Sequence, residues 1–149
     1  KGISNGKGQL TYADGTEYSG EFINGKCNGS GSLYLENGDG YSGEFKDDLF
    51  HGSGVFHYAN GSVYTGEYKD GRKNGYGSFL IQNQSDTEKY IGEFENDMFH
   101  GYGTYTFPNG SEYTGEFQNN LFHGEGTFIL EDGTTFEGVF QSGKFISAH

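Results

Sequence analysis

The sequence predicts an all-β protein: an elongated, single-layer antiparallel sheet of consecutive β-hairpins, about six of them along 149 residues. Three observations carry that prediction. A short phrase recurs as YSGEF from Tyr18, YSGEF from Tyr41, YTGEY from Tyr64, YIGEF from Tyr90 and YTGEF from Tyr113, and in altered form as FEGVF from Phe136. A Gly-x-Gly pair begins 11 residues after each of the first five starts, from Gly29 and Gly31 to Gly124 and Gly126. Around these landmarks apolar and polar residues alternate with the period of two that marks a half-buried strand. A fixed period of 23 residues, lengthened to 26 once, is the signature of a repeat array rather than of a conventional two-layer domain.

The elements follow in order. An orphan pair, Gly6 and Gly8, precedes the first phrase, and Gly2 stands before Gly6 as Gly25 stands before Gly29. On this spacing residues 1–149 form one array, with a partial repeat at 1–17 and repeats starting near 18, 41, 64, 90, 113 and 136. The chain is expected to begin inside the loop of a preceding repeat, as a fragment of a longer array. In the first strand of each hairpin the Tyr, Gly and second aromatic share one face, and Ser or Thr and Glu share the other. In the second strand the glycines share a face with apolar pairs such as Phe56 and Tyr58, or Tyr105 and Phe107. The opposite face is mainly polar, with Tyr34, Val55, Leu80 and Ile129 as exceptions.

Between the two strands stands Gly25, Asp48, Gly71, Asp97, Asn120 or Gly143, all residue types that readily adopt positive φ, so a left-handed turn residue is expected there. Asp14-Gly15, Asn60-Gly61, Asn109-Gly110 and Asp132-Gly133 signal the turns that link successive hairpins. The longer interval falls in IQNQSDTEKY. The repeat at Phe136 has Val139 in place of Glu and no Gly-x-Gly after Lys144, which puts regular pairing there in question. The whole array is expected to hold about twelve strands.

Composition narrows the function classes. Only 32% of residues are hydrophobic and 28 are glycine, so aromatic rings, at 17%, must supply most of the burial. Cys27 is the single cysteine; no internal disulfide forms, and a reducing, cytoplasmic setting is expected. The formal net charge of −12 opposes nucleic acid and anionic lipid alike, and the one compact basic group is Lys69, Arg72 and Lys73. No apolar run reaches the length of a membrane-spanning helix.

The phrase Y-x-G-E-F followed by x-x-G-x-x-H-G-x-G resembles the MORN (Membrane Occupation and Recognition Nexus) repeat family over nearly the whole chain. Tyr113, Gly115, Glu116, Phe117, His123, Gly124 and Gly126 carry the full pattern in one repeat. Phe, or Tyr68 in one repeat, stands where the family often has Trp. The resemblance implies a non-catalytic scaffold in cytoskeletal or membrane-linked assemblies, holding a helix or extended peptide of a partner protein along a groove, with homodimerisation as a further mode. It also implies an alternative, a phosphoinositide-binding or phospholipid-binding module that targets an enzyme domain elsewhere.

Catalytic readings find no support in the residues. Glu21, Glu44, Glu67, Glu93 and Glu116 form a ladder of identical copies, whereas an active site needs one asymmetric constellation. His51, His100 and His123 occupy a slot held by Asn28 and Asn74 in other repeats, and equivalent residues two strand spacings apart, about 9.6 Å, are too distant for bonds to one zinc. A turn-stabilising role is expected for them. No cofactor and no metal site is expected, and the glycine pairs lack the spacing of a nucleotide loop.

Two partner surfaces are expected instead. One is the aromatic face of Tyr18, Phe22, Tyr41, Phe45, Tyr64, Tyr68, Tyr90, Phe94, Tyr113 and Phe117, set against the alternative that these rings only pack on one another. The other is the set of loop pairs Leu49-Phe50, Met98-Phe99 and Leu121-Phe122, apolar where Lys26-Cys27 and Arg72-Lys73 are not.

Overall fold

The computed structural model describes residues Asn5–Ala148; the loop position expected at Gly2 lies outside them. The described residues form thirteen strands and no helix: β1 (Gly6–Thr11), β2 (Glu17–Ile23), β3 (Lys26–Tyr34), β4 (Gly40–Lys46), β5 (Leu49–His57), β6 (Val63–Lys69), β7 (Arg72–Gln82), β8 (Thr87–Glu95), β9 (Met98–Thr106), β10 (Glu112–Gln118), β11 (Leu121–Ile129), β12 (Thr135–Gln141) and β13 (Lys144–Ala148). The chain divides into two compact units at Arg72 and Lys73. Within each unit every strand pairs antiparallel with the next in the chain, β1 to β6 in the first and β7 to β13 in the second. Thirteen strands form rather than the expected twelve, because both of the irregular ends also pair. β12 and β13 hold Gly138 opposite Ala148 and Gln141 opposite Lys144 across one register shift.

Each hairpin turns on two left-handed residues rather than the single one expected. Asn24 and Gly25 have φ of 52° and 81°, Asp47 and Asp48 of 49° and 72°, Asn96 and Asp97 of 51° and 71°. A two-residue loop with both φ positive is the type I′ turn, whose twist matches the flanking strands. The turns between hairpins are of another kind. At Asp14-Gly15 only the glycine is left-handed, at 94°, and the amides of Gly15 and Tyr12 bond to the carbonyls of Tyr12 and Thr16. The Asp or Asn of each such pair accepts from the amide two residues on, as Asn60 does from Ser62 at 2.8 Å and Asn109 from Ser111 at 2.9 Å.

The core is built from one interaction made five times. Tyr18, Tyr41, Tyr64, Tyr90 and Tyr113 are 0–1% exposed. Each donates its hydroxyl to the backbone carbonyl three residues on, at Glu21, Glu44, Glu67, Glu93 and Glu116, over 2.7–2.8 Å. Where the hairpin pairing is described, that glutamate sits at a register shift, between Gly92 and Phe94 for example, and the tyrosine satisfies the carbonyl that the ladder releases. To reach it the ring crosses the glycines: a Cβ on Gly103 would lie 2.5 Å from the Tyr90 hydroxyl, and one on Gly92 only 2.7 Å from it. The second aromatic packs edge-on, Phe117 lying 5.1 Å from Tyr113 and equally 5.1 Å from Tyr90 of the preceding repeat. Within each unit, neighbouring repeats therefore share a core.

Candidate functional site

Within this frame the ten aromatic residues of the first expected surface are 0–7% exposed. The alternative stated for them, ring packing on ring, accounts for all ten, and as the chain stands they offer almost no area to a partner. Burial pushes the phenols of Tyr18, Tyr41 and Tyr113 up to about 12, since an anion there would be stripped of water. Tyr90 moves in the same direction, for the same cause.

The loop pairs divide between two jobs. Phe50, Phe99 and Phe122 stack face to face on Tyr41, Tyr90 and Tyr113, at 3.9, 4.0 and 4.0 Å. Each ring thus has one face on the core and its other side half-open. Their neighbours Leu49 and Leu121 stand 46% and 47% exposed, and Met98 is half-buried. The reason lies in the turn, which sends one residue of the pair inward over the tyrosine and leaves the other at the rim. Lys73 fills the same slot with a cation 5.1 Å from the ring centre of Phe79, and Cys27 fills it buried, 3.8 Å from the Tyr12 hydroxyl.

Half-open rings gather beside these loops. In the second unit Phe99, Tyr105, Phe107, Leu121 and Phe122 line an open cavity of about 410 Å³, with Phe117 and Gly143 as further lining. Phe107 bridges them, with ring centres 4.9 Å from Tyr105, 6.2 Å from Phe122 and 5.6 Å from Phe128. The first unit repeats the arrangement with Phe50, Phe56 and Tyr58, at 5.9 and 4.5 Å. The alternation of β9 and β11 predicts the apolar side of these strands; it does not show that their rings remain half-exposed while the Tyr of the adjoining strand is fully buried.

Consecutive loops are tied together. The Asp97 amide donates to the Lys73 carbonyl at 2.9 Å while its carboxylate accepts from the Lys73 amide at 2.8 Å; Asn120 repeats both bonds on Phe99, at 3.0 and 2.8 Å. Gly71 and Gly143 make the amide bond to Phe50 and Phe122. The histidine slot serves the same loops. Asn28 accepts from the Asp47 amide at 3.1 Å and His123 Nδ1 from the Ser142 amide at 3.4 Å, in line with the turn-stabilising role expected of this position. His100 differs, lying 3.1 Å from Glu95, and the buried Nδ1 of His51 has no hydrogen-bond partner among the described residues.

The glutamate ladder folds back over its own hairpin, where Gly29, Gly52, Gly101 and Gly124 sit at φ of 77°, 68°, 80° and 103° and leave room for the carboxylates of Glu21, Glu44, Glu93 and Glu116. Among the described residues no three His, Cys, Asp or Glu come together as a metal site. On the reverse face stand two residues that the periodicity did not single out, Tyr76 and Tyr102, 59% and 54% exposed.

Comparison with known proteins agrees with this architecture. The family model described as MORN repeat matches residues 1–17, 18–40, 41–63, 64–85, 90–112 and 113–135. No curated protein matches the chain.

Proposed function

The chain belongs to the MORN repeat family, whose repeats suggest a membrane or protein-interaction scaffold role, and from that premise we propose that it is a non-catalytic scaffold gripping a helix or extended segment of a partner protein. The half-open rings Phe99, Tyr105, Phe107 and Phe122, rimmed by Leu121 around about 410 Å³ of open space, are the observation that supports this reading. Such a row accepts apolar anchors from a segment laid across successive repeats. Tyr90, Phe94, Tyr113 and Phe117 act behind it, holding the stacked Phe99 and Phe122 in place. The setting proposed is cytoplasmic, in cytoskeletal or membrane-linked assemblies, and a second copy of the chain is the competing occupant.

Affinity capture from a cytoplasmic extract tests the proposal. The full chain is compared with a Phe107→Ser/Leu121→Ser double variant whose melting temperature confirms that it folds. A protein captured by the parent chain and lost with the folded variant supports the groove. Equal capture by both removes the interface from this groove, and binding only to anionic vesicles, fading with salt, favours the phosphoinositide alternative.

A further inference from the structure

The reverse face of the second unit carries features that folding does not require. The residue between the two glycines of each Gly-x-Gly is Lys7, Ser30, Ser53, Tyr76, Tyr102 and Glu125 in turn. The repeats act as controls on one another: Ser30 and Ser53 pair with Glu44 and Glu67 in the same register in which Tyr76 pairs with Glu93 and Tyr102 with Glu116. Serine satisfies this position, so the hairpin has no need of a tyrosine. Both rings nevertheless stand more than half exposed, and strand order sets them in a row with carboxylates, Tyr76, Glu93, Tyr102, Glu116 and Glu125. The Glu93 carboxylate is tied to the adjoining strand by the Tyr102 backbone amide, which donates to Oε2 at 3.4 Å. Beside Tyr102 and Glu116 an open cavity of about 540 Å³ extends to His100, Gln118 and His123.

The charge around this row is one-sided. From Lys73 to His149 there are eleven Asp and Glu against three lysines, Lys73, Lys89 and Lys144. An anionic ligand is repelled, and a cation that also uses an aromatic face is favoured. Guanidinium has that pair of properties: it lies flat on a ring and forks onto a carboxylate beside it, which an ammonium does less well. Tyr76 and Tyr102 are two strands apart, about 9.6 Å, close to the roughly 9.3 Å spanned by one three-residue turn of a chain extended as polyproline II, which brings every third side chain to the same side.

We propose that the row from Tyr76 to Glu116 binds an extended, arginine-rich protein segment, with arginines about every third residue placed over the tyrosines and donating to the neighbouring glutamates. The surface lies on the face opposite the apolar groove and does not depend on it.

The probe is a fluorescent peptide with four arginines at every third position separated by Gly and Ser, titrated with the full chain at low and moderate salt. Tyr76→Ser/Tyr102→Ser is expected to bind it about tenfold more weakly with an unchanged melting temperature, because serine already occupies this slot in two other repeats. Tyr34→Ser, which removes an equally exposed tyrosine from the first unit, is expected to bind as the parent does. Replacing the arginines of the peptide by lysines is expected to weaken binding several-fold. Equal binding by the parent and the double variant would overturn the proposal, leaving net charge alone as the cause. So would equal affinity for the two peptides, or sedimentation showing that the tyrosines join two copies of the chain.

Discussion

The hairpin that starts at Tyr113 and the one that starts at Phe136 share a seven-residue first strand and a turn of two left-handed residues, but differ in how they are locked. Tyr113 is fully buried, donates to the Glu116 carbonyl at 2.8 Å and carries Phe122 stacked on its face at 4.0 Å. Phe136 has no hydroxyl to donate and is 40% exposed, and Phe145, in the place of Phe122, meets it tilted at 5.5 Å. Across from the first glycine of each phrase, Gly115 faces Gly126, whereas Gly138 faces Ala148. The contrast identifies the repeat's structural unit: a tyrosine passing over paired glycines to a bulged carbonyl. Where the hydroxyl is missing, the glycine requirement relaxes and the ring moves out.

Substitutions at this unit are expected to act in proportion to what each removes from it. Gly126→Ala puts a Cβ against the Tyr113 ring and hydroxyl and is expected to cost about 3 kcal/mol, the upper end for overpacking. Ala148→Gly, at the matching position, is expected to change the chemical-denaturation midpoint little. Tyr113→Phe keeps the ring but leaves the Glu116 carbonyl unpaired, a loss on the order of 1 to 2 kcal/mol in the same measurement.

Alkali probes the same bonds in the parent chain. The phenols of Tyr18, Tyr41 and Tyr113 rise from 10.0 to about 12 on folding, so the folded chain holds more protons above pH 10. Their contribution is complete below the unfolded value and is lost as pH rises through about 12. Denaturation midpoints should therefore hold steady to about pH 9.5 and then fall steeply, with a shallower fall for Tyr113→Phe. A steep fall unchanged by that substitution would place the alkaline transition elsewhere.

The loops give a smaller effect. Asp97→Ala removes the bond to the Lys73 amide but keeps the amide bond back to the Lys73 carbonyl. A loss of about 1 kcal/mol is expected from denaturant titration, with binding through the groove unaffected. Phe136→Tyr is the smallest test, expected to raise the melting temperature by about 1 to 3 °C if the added hydroxyl reaches the Val139 carbonyl.

Much of this was legible in the residues. The recurrence of Y-x-G-E-F and Gly-x-Gly set strand order and register, because each hairpin contacts its neighbours in the chain and needs no distant partner. Which aromatics remain available to a partner was not legible. Tyr41 and Phe56 face each other in one register on the same face of the sheet, yet the first is 1% exposed and the second is half-buried. The difference arises when the tyrosine ring swings across the glycines and Phe50 closes over it, a three-residue arrangement invisible to a period of two. Likewise the residue that opens each turn is left-handed too: Asn24, Asp47, Asp70, Asn96 and Asn119 suit that conformation by type, whereas Ser142, at φ 50°, is held in it by the two-residue loop.

The aromatics divide into a buried set that makes the fold and a half-open set proposed to meet a partner. Aromatic ¹³C NMR of the full chain, titrated with the captured partner, tests that division most directly. Shifts confined to Phe99, Tyr105, Phe107 and Phe122, with the rings of Tyr18, Tyr41 and Tyr90 unmoved, are the predicted result. Shifts in the buried tyrosines with the Phe107 and Phe122 signals unchanged would contradict it.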